Sequence, residues 1–153
     1  MTNFAYDLGV VGLGYVGLPL AVESAKSKLN VVGYDVDSDR VKEINNGKSP
    51  IEDISNDELE LALQNFNATD NPNLLSKCHH IVISVPTPLT DYQPDLSYVE
   101  AAAKSVGENL VSNQVIILES TTYPGTTLEV LIPNLERYSS LRAGTDFFVG
   151  YSP

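Results

Sequence analysis

The run Asp7-Leu8-Gly9-Val10-Val11-Gly12-Leu13-Gly14-Tyr15-Val16-Gly17-Leu18-Pro19-Leu20 constrains the fold of this chain more than any other segment. A short apolar stretch leads into Gly-x-Gly-x-x-Gly, and a helical apolar pattern comes next. That spacing suits a bound pyrophosphate. Gly12 permits the tight turn out of a strand, Gly14 lets the backbone approach phosphate oxygens with no Cβ in the way, and Gly17 lets the new helix pack closely on the sheet. The phosphates would lie at the helix N-terminus, where unpaired N–H groups and the dipole favour negative charge. Pro19 falls in the first turn, where its missing N–H would have had no intrahelical partner.

The segment beyond this helix sharpens the meaning of the glycine motif. Leu29-Asn30-Val31-Val32-Gly33-Tyr34-Asp35 reads as a second buried strand ending in an acid 18 positions after Gly17. A dinucleotide fold places a ribose-binding carboxylate there. Val36, next to Asp35, supplies no cation for a 2′-phosphate, so NAD is expected ahead of NADP.

Strand and helix signals then alternate to the end of the chain. Ser38 is expected to cap a short helix carrying Val41 and Ile44, ended by Asn46-Gly47. Ser55-Asn56-Asp57-Glu58 reads as a capping box opening a helix with Leu59, Leu61, Ala62 and Leu63. Phe66 to Thr69 is a weak third strand, and Ile81 to Val85 is a strong fourth, stopped by Pro86 and Pro88. The next helix carries Leu96, Val99, Ala103, Val106 and Leu110 on one face, capped by Asp95 or by the Ser97/Glu100 pair. Val115 to Glu119 is a fifth strand. Gly125 introduces a helix bearing Leu128, Leu131, Ile132 and Leu135, which Pro133 should kink or end, and Phe147 to Gly150 is a sixth strand. This alternation predicts an α/β domain: a Rossmann-type doubly wound parallel sheet of about six strands in the order 3-2-1-4-5-6. The ligand crevice should lie beyond the carboxyl ends of strands 1 and 4.

At 153 residues and 42% hydrophobic, the chain suits one well-buried domain, 1–153. The net charge of −11, with only nine Lys and Arg, argues against nucleic acid or an anionic membrane as partner. A phosphate must therefore be held locally, which screening over about 8 Å allows. One cysteine, no apolar run near the length of a membrane span, and no basic-then-hydrophobic N-terminal segment lead us to expect a cytoplasmic, reduced setting. Cys78 is expected to be a half-buried thiol at the start of a strand rather than a nucleophile, and His79 and His80 read as loop residues. Neither histidine has partners at metal-ligand spacing, so no metal site is expected.

Three further segments sit at predicted strand ends: Val85-Pro86-Thr87-Pro88, Glu119-Ser120-Thr121-Thr122-Tyr123-Pro124-Gly125-Thr126-Thr127, and Tyr151-Ser152-Pro153. Together with the glycine turn they resemble, over the whole chain, the amino-terminal domain of the UDP-glucose/GDP-mannose dehydrogenase family. The form of the Glu119 to Thr127 segment is most similar to members acting on UDP-N-acetylhexosamines. Such enzymes oxidise the C6 alcohol of a nucleotide sugar to a carboxylate, delivering two hydrides in turn to two NAD molecules. The resemblance implies a UDP-sugar substrate (UDP-N-acetylglucosamine, UDP-N-acetylgalactosamine or UDP-glucose), a role in making surface polysaccharide precursors, and a homodimeric full-length protein.

The resemblance also implies roles for particular residues. The backbone amides of Tyr15 and Val16 would face the pyrophosphate, beside Gly12, Gly14 and Gly17, and Asp35 would hold the adenosine ribose. Arg40 would contact the adenosine end, against the alternative that it is a solvated helix residue. Thr87 would line the nicotinamide half and Thr121 would position the catalytic water, against the alternative that each is a local turn or cap residue. Glu119, a carboxylate at the end of a buried strand, stays outside the catalytic set. The family's nucleophilic cysteine lies in a downstream domain, and Cys78 is in neither its place nor its motif. The chain is therefore expected to be the cofactor half of a longer enzyme. Two other functions remain: a stand-alone module that binds NAD(H) without catalysis, and a hydroxyacyl or hydroxy acid dehydrogenase sharing the fold.

Overall fold

The computed structural model describes residues 3–90 and 92–153. Six strands form one parallel sheet: β1 (Tyr6–Val11), β2 (Val31–Tyr34), β3 (Phe66–Thr69), β4 (Cys78–Ile83), β7 (Val115–Leu118) and β8 (Phe148–Tyr151). Between β4 and the next helix, β5 (Leu89–Thr90) and β6 (Gln93–Pro94) pair as a small antiparallel ribbon. The sheet order is β3-β2-β1-β4-β7-β8, the predicted 3-2-1-4-5-6 once the ribbon is set aside. The helices are α1 (Gly17–Lys26), α2 (Ser38–Asn45), α3 (Asn56–Ala62), α4 (Ser97–Gly107) and α5 (Ile132–Ser139).

Adjacent strand residues point to opposite faces, so the central strands are apolar on both. Val10 packs with Leu18, Val22, Leu59 and Phe66 on the face covered by α1 and α3. Val11, its neighbour, packs with Ile81, Ile83, Val99 and Leu135 on the face covered by α4 and α5. Strand order reverses between β1 and β4, which are neighbours in the sheet although the whole β2–β3 half separates them in sequence. Their carboxyl ends therefore open onto the crevice that such a reversal creates.

Several local expectations need correction. Asp37, not Ser38, caps α2: its side chain accepts from the Asp39 and Arg40 amides, while the Ser38 hydroxyl donates to Asp70 at 2.7 Å. The Ser55/Glu58 capping box forms as expected, but Leu61 faces solvent because the short α3 buries only Leu59 and Ala62. β4 begins at Cys78 and ends at Ile83, so His79 and His80 are strand residues. β1 offers partners there, Tyr6 opposite Cys78 and Leu8 opposite His80. Cys78 is fully buried rather than half-buried. Asp95 accepts from the Ser97 amide at 2.9 Å, and α4 lacks the Ser97/Glu100 box.

Pro133 does not end its helix. A π-helical turn, Thr127–Leu131, precedes α5, and Pro133 occupies the first turn of α5. Ile132 donates to the Thr127 carbonyl across the wider turn. The proline ring would crowd the carbonyl four residues back in α geometry, and the wider turn relieves that contact. Leu128 consequently points outward. The sixth sheet strand is shifted by one residue to Phe148–Tyr151, and Phe147 is buried just before it.

Candidate cofactor site

The three motif glycines do different things. Gly12 takes φ +94°, and a Cβ there would collide with the Ser84 carbonyl, because the turn out of β1 runs against the end of β4. A Cβ on Gly17 would collide with the Gly12 carbonyl, so the first turn of α1 packs directly on the turn. At Gly14 a Cβ would meet nothing within 4 Å. Packing inside the protein does not require glycine at that position, and the space it leaves faces the cavity beyond the strands.

Two features make that space suit an anion. α1 begins without a side-chain cap and without an acid in its first turn. Among the described residues, no carbonyl or side chain accepts from the Tyr15 or Val16 amide, and both residues are exposed. Unpaired donors at the positive end of a helix dipole are the ordinary means of holding a phosphate in a chain of net negative charge.

Asp35 comes directly after β2 and is buried, at 7% exposure. Its Oδ2 accepts from the Leu13 amide at 2.8 Å and its Oδ1 from the Asp37 amide at 3.0 Å. The carboxylate thus ties the glycine turn to the start of α2. Arg40 Nη1 lies 3.5 Å from Asp35 Oδ2. The cation beside Asp35 thus comes from Arg40 and not from its neighbour Val36. The contact also shows that Arg40 is not simply a solvated helix residue, since its guanidinium folds back onto the wall of the cavity.

On the other side, the loops after β4 and β7 are laced together. The Thr87 hydroxyl donates to the Thr121 carbonyl at 2.6 Å, and the Ser120 hydroxyl donates to the Val85 carbonyl at 2.9 Å. Thr87 is therefore in part a loop-tying residue, while the exposed Thr121 is held at its backbone.

A cavity of about 650 Å³ joins these parts, within the ~300–1,000 Å³ range of cofactor and small-molecule sites. Gly12, Gly14, Tyr15, Val16, Asp35, Arg40, Thr87 and Thr121 all line it. Gly17 does not: it is buried beneath the turn, where its contribution is close packing. Glu119 also stands on the wall, as do Ser84 and a face of α4 led by Tyr98. The α4 face had a signal in the sequence, because positions 98, 101, 102 and 105 recur at helical spacing beside the apolar stripe. Ser84 had none, since its place depends on β4 lying beside the glycine turn.

Cys78 is at the far, amino-terminal end of β4. Burial pushes its thiol up to about 12, so it stays protonated. It is neither near the cavity nor a nucleophile.

A doubly wound sheet with an uncapped helix N-terminus, a buried acid after its second strand and a cavity at the strand-order reversal defines a dinucleotide-binding domain. The NAD binding domain of the UDP-glucose/GDP-mannose dehydrogenase family matches residues 6–153, and the chain belongs to that family, with NAD as its cofactor. It is 44% identical over 147 residues to a UDP-N-acetyl-D-glucosamine 6-dehydrogenase of Pseudomonas aeruginosa, covering 95% of this chain and 34% of that relative. Among solved structures, the UDP-N-acetylmannosamine dehydrogenase of Pyrococcus horikoshii superimposes with a TM-score of 0.89 at 40% identity, covering 95% of this chain and 35% of that one. A GDP-mannose dehydrogenase from Pseudomonas aeruginosa gives 0.88 at 30% identity, over 96% of this chain and 36% of that one. The chain spans about a third of the length of these relatives.

Proposed function

We propose that the chain is the cofactor-binding part of a dehydrogenase that oxidises the C6 alcohol of a UDP-N-acetylhexosamine to a carboxylate. The observation that carries this reading is the convergence of the glycine turn, Asp35 and the Thr121 loop on one cavity. The N-acetylhexosamine preference is supported by the resemblance to the Pseudomonas aeruginosa enzyme and by the form of the Glu119–Thr127 segment.

In this reading the Tyr15 and Val16 amides bind the pyrophosphate, Asp35 the adenosine ribose, and Arg40 the adenosine end. Thr87 holds the nicotinamide side of the wall through its bond to the Thr121 carbonyl, and Thr121 orients the water that becomes the second carboxylate oxygen. NAD, when bound, supplies the hydride acceptor. Conversion of alcohol to carboxylate removes four electrons, so two NAD are reduced per sugar and one water is consumed. The longer protein is proposed to be a cytoplasmic homodimer. Among the described residues, no helix is long and apolar enough to cross a membrane.

Chemistry of this kind also needs a sugar pocket and a nucleophile paired with a base within about 3 Å of the reacting atoms. The cavity holds no such pair among the described residues. We therefore expect the 153-residue chain to bind NAD but to give no NADH signal at 340 nm with UDP-N-acetylglucosamine, and the product of the complete reading frame to give one. Steady turnover by the 153-residue chain, surviving Cys78→Ser, would overturn the divided-enzyme reading. A reading frame closing at Pro153 would favour the non-catalytic NAD(H)-binding module.

A further inference from the structure

Among the described residues, Ser84 Oγ is the one buried side-chain polar atom with no hydrogen-bond partner. The other buried polar residues are all provided for, Asp35 by the Leu13 and Asp37 amides. Gln114 donates to the Leu75 and Cys78 carbonyls, Ser120 to Val85, and Thr126 to Tyr123. An orphaned hydroxyl in a native fold calls for a physical reason, because its desolvation is not offset by any bond.

The position of Ser84 supplies one. It comes directly after β4, and its amide donates to the Val11 carbonyl at 2.8 Å, continuing the β1–β4 ladder one bond past the strand. Its carbonyl abuts Gly12, and the residue lines the cavity while being only 7% exposed. In β4, Val82 packs on the α1 side and Ile83 on the α4 side, so alternation turns Ser84 back toward α1 and the glycine turn. Oγ is out of reach of water as it stands, and because the residue lines the cavity, a rotation about χ1 is what would bring the hydroxyl to a group seated beside the glycine turn.

We propose that Ser84 is a cofactor-positioning residue whose hydroxyl donates to the diphosphate of the bound dinucleotide, through no more than one water. The proposal rests on the assignment of NAD to this cavity. It gives Ser84 opposite effects in the two states. Without cofactor the orphaned hydroxyl destabilises the fold; with cofactor it contributes a charge-assisted bond at the middle of the dinucleotide.

The test is to measure the melting temperature of the cofactor-free protein, and calorimetric affinities for NAD, ADP-ribose and adenosine, in the parent, Ser84→Ala and Ser84→Cys. Ser84→Ala should melt about 2–4 °C higher without cofactor. Its Kd for NAD and ADP-ribose should rise about tenfold, equivalent to about 1.4 kcal/mol, with adenosine within twofold of the parent. Ser84→Cys keeps the shape, with a somewhat larger sulfur that is only a weak donor, so it should lose affinity in the same direction. NAD affinity within twofold of the parent in Ser84→Ala overturns the proposal. So does an equal loss for adenosine, a lower cofactor-free melting temperature in Ser84→Ala, or parent-like NAD binding by Ser84→Cys, which would make the alanine effect one of packing. A parent that fails to bind NAD rejects the cofactor assignment itself, and the role of Ser84 with it.

Discussion

Gly12, Gly14 and Gly17 belong to one motif but answer to different forces. Two of them are demanded by protein atoms, whereas no protein atom demands glycine at position 14, where the proposed reading seats the pyrophosphate. Gly14→Val should therefore keep the melting temperature within about 2 °C of the parent, since nothing crowds the new side chain, while NAD affinity falls more than tenfold. Binding within a factor of about three, worth only about 0.65 kcal/mol, would mean the position is not at the pyrophosphate. Gly17→Ala should instead unfold or severely destabilise the protein through its clash with the Gly12 carbonyl. Asp35→Asn is not a clean binding probe. Both carboxylate oxygens accept backbone N–H groups, and the amide of Asn would turn a donor toward one of them. Cys78 gives a prediction at alkaline pH. Its folded value, about 12, is raised by burial above the ordinary 9.0, so its stabilising contribution is complete below pH 9 and is lost as pH rises toward 12. Urea midpoints should fall over that window in the parent, with a shallower fall in Cys78→Ala.

At the scale of elements, caps and turns decide where helices begin. The capping box at α3 is reciprocal: Ser55 Oγ accepts from the Glu58 amide at 3.3 Å, and Glu58 Oε2 accepts from the Ser55 amide at 3.1 Å. The bonds from the Ser55 amide and hydroxyl, led by the amide, hold the Glu58 carboxyl below its ordinary 4.5. A depressed carboxyl contributes stability above that value and loses it as pH falls through the folded value. The Ser55 and Glu58 amides should therefore lose exchange protection as pH drops below about 4.5, and Ser55→Ala should cost about 1 kcal/mol in chemical denaturation. Similar chemistry explains why Asp37 rather than Ser38 caps α2. Asp37 adopts the extended backbone of an N-cap and reaches two amides, while Ser38 is already inside the helix. Pro133 would stop a helix of uniform α geometry. The π turn before it accommodates the ring instead.

Across the whole molecule, cofactor choice is expected to follow the charges on the cavity wall, where the end of β2 runs into α2. Asp35 and Arg40 form an ion pair on the cavity wall, in a chain of net charge −11. A 2′-phosphate would meet the Asp35 carboxylate, and the guanidinium is already engaged by it. NAD should therefore bind at least tenfold ahead of NADP in calorimetry, and equal affinities would contradict this account of the pair. The sequence by itself determined what short-range geometry controls: the glycine turn, the acid after β2 and the alternating strand and helix signals, from which the 3-2-1-4-5-6 order followed only by the fold-level rule for such alternation. Those depend on φ/ψ limits, capping chemistry and the period of apolar residues, all of which act within a few residues. The tertiary structure alone decided which groups meet across the sheet. Thr87 reaches Thr121 over 34 positions and the Leu13 amide reaches Asp35 over 22. Ser84 lies against Gly12 because β4 pairs with β1. His79 and His80 are strand residues for the same reason, since pairing energy from β1 outweighs their weak local preference. Parallel crossovers and register, which bring distant segments side by side, are properties of the packed sheet and leave little trace in any one stretch of sequence.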